Sequence, residues 1–502
     1  MHIANDVLYS PLVLAILASN CRWTGTNIAY IAPELEHHFR VSETKYIITA
    51  PEHLEVVRTA VKGTGGNAEI ILFTDLLESE SQQLSVLTNT AHVRTDACKC
   101  YSEAALAHEG RRASLNQPQE DVPALRTLHE LARKPTETDL VNLTKHLSLD
   151  STAALLQTSG TTGLPKMAAR THRSMIIEQQ TIEDNDVDKP YDVRRLYSVP
   201  IFHGFAAPEM IFNALRLGHT SYFMRRFDDT FAQKIHDLRI TETFGAPPML
   251  LKLVSQPGAK ELLQGLKLIS FGGAPLAPEL RKQTLEMFEE GEKPRIVPVY
   301  GMTEGGWFTT LKYPEIDDSG SVGRPVPGYE VKMVPYPDTE LHDGQTVGEI
   351  FVRGPQLMSG YYNNPTATAE AFESDWLKTG DIGYVKEGRL YLVDRAKDLM
   401  KVNGWQVAPA ELENALLQHS DVLDAAVLGI GQGVEEHPMA CVVVRSPEVN
   451  METIKLHLRS RLTGYKVSRC EVRFVDAIPK NPAGKILRKV LREQILAPIS
   501  IV

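Results

Sequence analysis

The strongest chemical signal in the sequence is a short stretch rich in hydroxyl groups and glycine. Residues 157–166 read Gln-Thr-Ser-Gly-Thr-Thr-Gly-Leu-Pro-Lys and directly follow the apolar run 153–156. Glycine lets a backbone approach a ligand closely, successive N–H groups can bind an anion, and Lys166 adds a positive point charge. We therefore predict a loop that wraps an oligophosphate, and prefer this interpretation to a flexible polar surface loop.

The loop differs from the phosphate-binding motif of P-loop kinases and ATPases. That motif ends in Gly-Lys followed by Ser or Thr. In this chain Pro165 precedes Lys166, and Met167 follows it. A P-loop enzyme is therefore disfavoured.

Together with four motifs further along the chain, the loop resembles the adenylate-forming superfamily of acyl-CoA synthetases, luciferases and peptide-synthetase adenylation domains. These motifs are, in order, Tyr300-Gly301-Met302-Thr303-Glu304, Thr379-Gly380-Asp381, Asp394-Arg395-Ala396-Lys397-Asp398 and Pro482-Ala483-Gly484-Lys485. The resemblance extends from about residue 10 to residue 495. The stretches 393–412 and 201–203 are most similar to the branch of 4-coumarate-CoA ligases and luciferases.

The resemblance implies a ligase that uses ATP, Mg²⁺ and coenzyme A. The carboxylate of an organic acid attacks the α-phosphate of ATP, which gives acyl-AMP and releases pyrophosphate. A thiol then attacks the acyl carbon. Both transition states spread negative charge, so catalysis depends chiefly on positioning and electrostatics. The expected activity is that of an acid-CoA ligase (AMP-forming) whose small-molecule substrate is an aromatic or a short- or medium-chain carboxylic acid.

The same resemblance assigns residues to the phosphates of ATP. The β- and γ-phosphates are expected to lie against Thr158, Ser159, Gly160, Thr161, Thr162, Gly163 and Lys166. Thr303 is expected to bind the α-phosphate. Glu304 is expected to hold Mg²⁺, a hard cation that prefers oxygen ligands.

Other residues are expected around the adenosine. The adenine site is implied at Gly273, Ala274 and Pro275, with Tyr300 stacking nearby and Gly301 and Met302 in the same motif as that tyrosine. Asp381 would accept hydrogen bonds from both ribose hydroxyls, a task that suits a carboxylate with two oxygens. Arg395 would support the same sugar.

Two lysines are expected to serve the two half-reactions in turn. Lys485 would orient the carboxylate and offset the charge that develops during adenylation, whereas Lys401 would act near the acyl phosphate in the second step. A rotation at Lys397 would exchange two faces of the small domain, a hinge change absorbed by very few residues. The cofactor-binding residues are also expected to include Gly404, Trp405 and Gln406.

The position of His203 within the stretch 201–205 implies that it borders the acyl pocket. Trp307 and Phe308 are expected to shorten this pocket and to favour a flat aromatic acid. Room for a ring is expected at Ala246, Gly272 and Gly301. For Glu209 two interpretations stay open: recognition of an amine or hydroxyl group on the substrate, or an exposed helix position.

Two departures from the family pattern leave other activities open. Asn403 stands where relatives that make CoA thioesters usually carry Lys or Arg, so the acyl group could instead pass to an amine or to a carrier-protein thiol. The chain also begins close to the stretch 7–18, later than family members usually begin. This keeps open a catalytically inactive homologue that acts as a binding protein. Neither the acid nor the oligomeric state follows from the sequence.

Chain length and strand–helix alternation predict the fold that must position these residues. A chain of 502 residues is too long for one hydrophobic core. Residues 46–49 and 68–73 are predicted strands on either side of a helix at 52–61, which indicates layered α/β architecture with a largely parallel sheet. Short runs at 329–334 and 348–352 predict a twisted antiparallel subdomain.

The predicted protein is therefore α/β, with two domains. A large, multi-subdomain N-terminal adenylation domain of layered sheets and helices covers residues 1–394. A small mobile α+β domain covers residues 395–502, with the hinge near Lys397. Its predicted elements are a helix opened by Pro409, strands at 425–429 and 440–444, and a helix at 451–462.

Composition and charge exclude several other classes. The net charge of −10 argues against a nucleic-acid binder. Five scattered cysteines fit a reducing compartment, and a metal site at Cys98 and Cys100 is disfavoured. The apolar run 12–17 has no Lys or Arg before it and is far shorter than the ~20 residues of a membrane span. A buried helix, no membrane span and a cytoplasmic location are therefore predicted.

Overall fold

The computed structural model of the chain describes residues 1–73, 126–127, 145, 147–158, 165–182, 187–335, 346–402, 405–431, 436–446, 448–467, 469–480 and 484–496. At residues 126, 127, 401, 405 and 406 it describes the backbone only. Two groups of residues pack separately: unit 1, Met1–Ile3 with Thr26–Leu140, and unit 2, Ala4–Gly25 with Val141–Val502. Several residues discussed above lie outside the described ranges, namely Cys98, Cys100, Ser159, Gly160, Thr161, Thr162, Gly163, Asn403 and Gly404.

Unit 1 has the predicted alternation of strand and helix. Strands β1 (Tyr46–Thr49), β2 (Glu69–Leu72) and β3 (Arg126–Thr127) form a parallel sheet in that order. The helical segments are Ala32–Ser42, a 3-10 turn at Pro51–His53, and Leu54–Gly63. The predicted helix at 52–61 thus begins as a 3-10 turn, because a proline opens it.

Apolar side chains at helical spacing form the core of unit 1. Leu35 and Phe39 from one helix and Val57 and Val61 from the next pack against Ile47 of β1. Residues four apart share one face of a helix. Each helix therefore buries a single apolar stripe against the sheet.

Unit 2 contains the remaining elements of the described chain. Its strands are β4 (Thr152–Gln157), β5 (Met167–Thr171), β6 (Arg194–Tyr197), β7 (Thr220–Phe223), β8 (Glu242–Gly245), β9 (Leu268–Gly272), β10 (Arg295–Met302), β11 (Gly306–Thr310), β12 (Arg324–Pro325), β13 (Glu330–Pro335), β14 (Gly348–Arg353), β15 (Gly360–Tyr361), β16 (Phe372–Glu373), β17 (Trp376–Lys386), β18 (Arg389–Arg395), β19 (Met400–Val402), β20 (Trp405–Val407), β21 (Val422–Ile430), β22 (His437–Val444) and β23 (Glu471–Phe474). Its helices are Tyr9–Ala18, His172–Thr181, the π-helix Pro208–Asn213, Ala214–Leu217, Phe231–Asp237, Pro247–Ser255, Ala259–Leu262, Pro278–Glu286, Pro365–Ala371, Pro409–Leu417, Met451–Arg459, Gly464–Val467 and Arg488–Leu496.

The largest sheet of unit 2 brings several strand ends to one edge. Among the described residues it has seven strands, in the order β12-β11-β10-β9-β8-β6-β7. The strands from β10 to β7 are parallel, whereas β11 and β12 are antiparallel to their neighbours. Strand β9 ends at Gly272 and β10 ends at Met302, directly before Gly273 and Thr303. Ligands of parallel sheets bind at the carboxyl ends of the strands, and the predicted adenine and α-phosphate residues lie at this edge.

Two smaller sheets carry other predicted site residues. The sheet β15-β5-β4 is antiparallel, so the end of β4 and the start of β5 hold the two ends of the predicted phosphate loop. A second sheet has the order β13-β14-β17-β16, with β18 paired to β17. This confirms the predicted antiparallel subdomain. Its register sets Asp381 of β17 opposite Arg395 of β18.

The chain beyond Lys397 has the predicted α+β content. The hairpin β19–β20 leads to the helix that Pro409 opens, and strands β21, β22 and β23 form a sheet in that order. The predicted helix at 451–462 covers Met451–Arg459. The buried core of this region includes Leu412, Leu416, Val427, Val442, Ile454 and Leu458.

The helix predicted at residues 12–17 is confirmed, but the prediction that it is buried holds for one face only. In the helix Tyr9–Ala18 the side chains of Tyr9 and Val13 are buried, whereas Leu14 is 40% exposed. Positions four apart share a helix face, so one face packs on the unit and the other does not. In the ranges that the structure describes, every helix is too short or too polar to cross a membrane.

Four buried charges form a chain of ion pairs around β6 and β8. Glu242 accepts hydrogen bonds from Arg195 at 2.8 Å and from Lys189 at 2.7 Å. Arg195 also lies 2.7 Å from Glu209. Burial raises the pKa of Glu242, but the charges of Arg195 and Lys189 oppose it and hold the pKa at about 2. Glu242 is therefore ionised at neutral pH and neutralises two buried cations.

Replacing Glu242 by glutamine should destabilise the protein strongly. The Glu242→Gln variant leaves the two cations of Arg195 and Lys189 without their shared counter-charge, and breaking a buried ion pair costs roughly 3–5 kcal/mol. We expect a clear fall in the midpoint of urea-induced unfolding. The control is Glu292→Gln, which removes an exposed pair with Lys267 and should leave the midpoint unchanged. A wild-type midpoint for Glu242→Gln would contradict the prediction.

Candidate active site

The two ends of the predicted phosphate loop are held together by the backbone. The N–H of Thr158 donates to the carbonyl of Lys166 at 2.8 Å, and the N–H of Lys166 donates to Thr158 Oγ1 at 3.2 Å. These bonds extend the antiparallel β4–β5 ladder by one step. Thr158 and Lys166 therefore lie side by side at the mouth of the loop.

A tyrosine links the loop lysine to Glu304. The Nζ atom of Lys166 lies 4.8 Å from the centroid of the Tyr361 ring, within cation–π distance. The hydroxyl of Tyr361 donates to Glu304 Oε1 at 2.7 Å. Burial and the negative charge of Glu304 raise the pKa of Tyr361, so its hydroxyl stays protonated. The structure thus brings the phosphate loop and the predicted metal ligand together.

The carboxylate of Glu304 has the chemistry that Mg²⁺ requires. Glu304 is 6% exposed, and within the described parts of the chain no group donates a hydrogen bond to its Oε2 atom. Mg²⁺ is commonly held by one or two carboxylates together with substrate phosphates and water. One hard oxygen beside the mouth of a phosphate loop fits that arrangement.

The turn that contains His203 lies beside Thr303. A Cβ atom placed on Gly204 would lie 3.6 Å from Thr303 Cα and 4.0 Å from its Oγ1. His203 Nδ1 accepts a hydrogen bond from the N–H of Phe205 at 3.2 Å. Burial lowers the pKa of His203. The imidazole is therefore neutral, with Nδ1 as the acceptor and the proton on Nε2.

The predicted ribose residues form a cluster with Tyr300 around the buried carboxylate of Asp381. The Tyr300 hydroxyl donates to Asp381 Oδ2 at 2.7 Å, and Arg395 Nε lies 2.7 Å from Asp381 Oδ1. Burial raises the pKa of Asp381, and the neighbouring Arg395 and Tyr300 oppose that rise. The ring of Tyr300 packs edge-on against Phe308, at a centroid distance of 5.7 Å. One carboxylate thus joins the end region of β10 to the pair β17–β18.

The charges of this cluster act on Lys485 of the C-terminal region. Its neighbour Gly484 has a φ of +81°, and a Cβ atom there would lie 2.6 Å from Pro248 Cδ and 3.6 Å from Ala246 Cβ. Burial and the positive charges of Arg395 and Lys397 lower the pKa of Lys485 to about 8, while Asp381 opposes the shift. The lysine is therefore close enough to the Asp381–Arg395 pair to be perturbed by it.

Three aromatic rings form one wall beside the His203 turn. The rings of Phe205 and Trp307 stack with centroids 6.1 Å apart and planes 23° apart, and Phe244 lies 6.0 Å from Phe205 and 6.4 Å from Trp307. The indole N–H of Trp307 donates to the carbonyl of Phe205 at 3.0 Å. These contacts fix the two stacked rings relative to each other.

The predictions about room in the acyl pocket need three corrections. A Cβ atom on Gly272 would lie 2.7 Å from the ring of Phe205, so that ring already occupies the space that Gly272 leaves. On Gly301 it would collide with the carbonyl of Gly306, because β10 and β11 approach closely there. Phe308 does not share a wall with Trp307, since neighbouring residues of a strand point to opposite faces. It packs on Tyr329 and Tyr300.

Both interpretations of Glu209 are wrong. Its side chain is fully buried, so it is not an exposed helix position. Its Oε2 lies 2.7 Å from Arg195 Nη1, and its Oε1 accepts a hydrogen bond from Asn213 at 2.9 Å. With both oxygens bound by protein groups, the carboxylate is a structural partner of Arg195 and not a group that faces a substrate.

Two supporting residues were missed by the sequence analysis. Asn5 donates to the carbonyl of Val199 at 2.8 Å and accepts from the N–H of Ile201 at 2.9 Å, which fixes the approach to His203. Phe205 was passed over although it lies two positions after His203. For Asn5 no local signal exists, because its partners are 194 and 196 residues away.

The residues expected to act in the second step lie on a short hairpin. Strands β19 and β20 set Lys401 opposite Gln406 and Val402 opposite Trp405. Neighbouring residues of a strand point to opposite faces. The backbone thus places Lys401 and Gln406 at one cross-strand position.

Sequence comparison matches residues 4–362 to the family described as AMP-binding enzyme, and residues 411–485 to the AMP-binding enzyme C-terminal domain. The chain is 45% identical to an acyl-CoA ligase from Phoma sp., over 99% of this chain and 87% of that protein. A phenylacetyl-CoA ligase from Aspergillus niger is 37% identical, with 98% and 86% covered. Among solved structures, an amide bond synthetase from Marinactinospora thermotolerans has a TM-score of 0.76 at 24% identity, with 98% and 88% covered. This likeness confirms the predicted fold class.

The lowered pKa of Lys485 should appear as early reactivity toward an amine-selective reagent. At a pKa of about 8, half of its amine is neutral at that pH, and only the neutral form is acylated. In the Arg395→Met variant a positive charge is lost, so the pKa should rise and the labelling curve should shift to higher pH. Peptide mass spectrometry after brief acylation across a pH series measures both curves. Arg353→Met, which alters an exposed ion pair, serves as the control. Coincident curves for wild type and Arg395→Met would refute the expected coupling.

Proposed function

We propose that this chain, which belongs to the AMP-binding enzyme family of adenylate-forming ligases, activates an organic carboxylic acid with ATP and transfers the acyl group to coenzyme A. The observation that carries the proposal is the meeting of three groups from distant parts of the chain. Tyr300, three residues before Thr303, donates a hydrogen bond to Asp381, and Asp381 pairs with Arg395. The turn of His203 lies against Thr303, and the charges of Asp381 and Arg395 act on Lys485. An ammonium, a ribose-binding carboxylate and an α-phosphate residue around one site suit the formation of an acyl-AMP.

In the first step the acid carboxylate attacks the α-phosphorus of ATP, and pyrophosphate leaves. The His203 turn and Thr303 would hold the acid and the α-phosphate beside each other, which replaces a bimolecular encounter by a positioned one. Lys485 would offset the negative charge that grows on the α-phosphate oxygens. Its pKa of about 8 keeps most of it protonated at neutral pH.

The leaving pyrophosphate would lie against the loop that begins at Thr158 and ends at Lys166. Glu304 would hold Mg²⁺ next to the same phosphates. The bound ion would neutralise phosphate charge and stabilise the leaving oxygens. Lys166 lies on the face of Tyr361 in the described structure, within reach of the loop mouth.

In the second step the thiol of coenzyme A attacks the acyl carbon, and AMP leaves. We assign this step to a different placement of residues 395–502, with Lys401 near the acyl phosphate and the hinge at Lys397. Strand β18 ends at Arg395, two positions before the proposed hinge. Arg488 lies 3.5 Å from Asp398 and 2.6 Å from Glu413, which ties the last helix to the chain just after the hinge. Such ties would let the C-terminal region turn as one body.

We further propose a flat aromatic acid as the substrate class. The stacked rings of Phe205 and Trp307 offer planar apolar surface next to His203. Aromatic side chains prefer stacked or edge-on ring partners. The phenylacetyl-CoA ligase from Aspergillus niger, to which this chain is 37% identical, is named for an aromatic acid. A short- or medium-chain acid is the alternative substrate class.

A second acceptor is favoured by one residue. Asn403 occupies the position at which relatives that make CoA thioesters usually carry Lys or Arg. Loss of that positive charge would weaken the binding of the CoA phosphates. The amide bond synthetase from Marinactinospora thermotolerans shares this fold. Transfer of the acyl group to an amine or a carrier-protein thiol is therefore the alternative second step, after the same adenylation.

Lys485→Ala should abolish adenylation without unfolding the protein. The expected loss is at least about a hundredfold in the rate of acyl-AMP formation, since one charge placed at the reacting phosphate is removed. A mass-spectrometric screen with ATP, Mg²⁺ and a panel of aromatic and short-chain acids, with and without CoA, measures acyl-AMP and acyl-CoA. The matched control is Lys489→Ala, an exposed lysine four positions away. Acyl-AMP formation by Lys485→Ala at the wild-type rate would refute the assigned role, and acyl-AMP that CoA never consumes would favour the amine or carrier-protein acceptor.

Trp307→Ala should widen the range of acids. Removing the indole opens space beside Phe205, so the ratio of kcat/KM for a two-ring acid to that for a one-ring acid should rise by about tenfold or more. Phe308→Leu is the matched control, because that ring packs on the opposite face and should lower stability without changing the ratio. Equal ratios in wild type and Trp307→Ala would show that this wall does not contact the acid.

A further inference from the structure

Tyr361 lies between two residues of the proposed ATP site, Glu304 and Lys166. Its hydroxyl donates to Glu304 Oε1 at 2.7 Å, and Lys166 Nζ lies over its ring, 4.8 Å from the centroid. One side chain therefore contacts both the proposed metal ligand and the cation at the mouth of the phosphate loop.

The backbone fixes Tyr361 independently of these contacts. Strand β15 pairs Tyr361 with Ala168 of β5, and the N–H of Tyr361 donates to Thr368 Oγ1 at 2.9 Å. The next N–H, of Tyr362, donates to the carbonyl of Met167 at 2.8 Å. Because Lys166 directly precedes β5, the same ladder sets the distance between the ring and the lysine.

Glu304 is fixed from the other side. Its carbonyl accepts the N–H of Met358 at 2.7 Å, three residues before Tyr361. The 2.7 Å contact between the Tyr361 hydroxyl and Glu304 Oε1 is thus built on two main-chain anchors. It restricts rotation of the carboxylate, and in the described structure it leaves Oε2 without a donor.

We propose that Tyr361 is a positioning residue for Mg²⁺ binding: its hydroxyl holds the Glu304 carboxylate so that Oε2 faces the cation. The inference rests on the proposed function, since it takes Glu304 as the metal ligand of an ATP site. Partners of this kind, which orient a ligating carboxylate through a hydrogen bond, commonly contribute 10–100-fold to metal affinity.

The hydroxyl and the ring of Tyr361 have separable roles. Tyr361→Phe removes only the hydroxyl, so the ring that faces Lys166 is retained. The matched control is Tyr362→Phe, which removes the neighbouring hydroxyl from a ring that faces Arg22 at 4.7 Å instead. A difference between these two variants therefore reports the bond to Glu304.

The test is equilibrium binding of a non-cleavable ATP analogue, α,β-methylene-ATP, titrated with Mg²⁺ at constant ionic strength. For Tyr361→Phe we expect the Mg²⁺ concentration for half-maximal binding to rise about tenfold, with full binding recovered at high Mg²⁺. Tyr362→Phe should follow the wild-type curve. The double variant Tyr361→Phe/Glu304→Gln should behave like Glu304→Gln alone, because the tyrosine acts through that carboxylate.

Two results would overturn the proposal. One is a Tyr361→Phe curve that coincides with wild type. The other is a loss of binding in Tyr361→Phe that is equal at all Mg²⁺ concentrations, as a merely structural role would give. A wild-type protein that binds the analogue at no Mg²⁺ concentration would overturn the proposed function itself, and with it this inference. Because wild type and Tyr361→Phe are titrated side by side, a binding defect found only in Tyr361→Phe leaves the proposed function intact.

Discussion

The buried carboxylate of Asp381 is the point at which the separate parts of the site are joined. It receives the hydroxyl of Tyr300, from the end region of the seven-stranded sheet, and the guanidinium of Arg395, from the last residue of β18. Lys485 feels the same two charges from the C-terminal region. Burying a carboxylate is unfavourable unless it is paired and hydrogen-bonded. The hydrogen bond from Tyr300 and the ion pair with Arg395 therefore stabilise the buried carboxylate, and each contact also holds its own segment at the site.

Charge around this carboxylate is unevenly balanced. Arg395, Lys397 and Lys485 contribute three cations beside Asp381 and Asp398, and burial together with the charges of Arg395 and Lys397 lowers the pKa of Lys485. An arrangement of this kind favours a ligand that brings negative charge. A nucleoside phosphate would supply it, and would relieve the repulsion at the moment when it is bound.

The sequence was informative where function depends on residues that are adjacent in the chain. The phosphate loop, the stretch 300–304 and the hinge motif are local patterns, and the strand at 46–49 and the helix opened by Pro409 follow from local periodicity and proline geometry. Contacts between segments that are far apart in the chain could not be predicted from the sequence. Glu209 is a plausible surface residue until Arg195 of β6 is seen 2.7 Å away, and the register that sets Asp381 opposite Arg395 depends on strand pairing. The room predicted at Gly272 is taken by the ring of Phe205, a contact that links two segments distant in the chain.

The contact between Phe205 and Gly272 has a consequence for how the pocket meets a ligand. The ring of Phe205 fills the space beside Gly272, so a ligand that used this space would exchange one apolar group for another. A planar ring that displaced Phe205 could replace its stacking with Trp307, whereas a flexible alkyl chain could not. Selection would then depend on the protein's own ground state, because Phe205 already makes the stacking contact with Trp307 that an aromatic acid, the proposed substrate class, would have to replace.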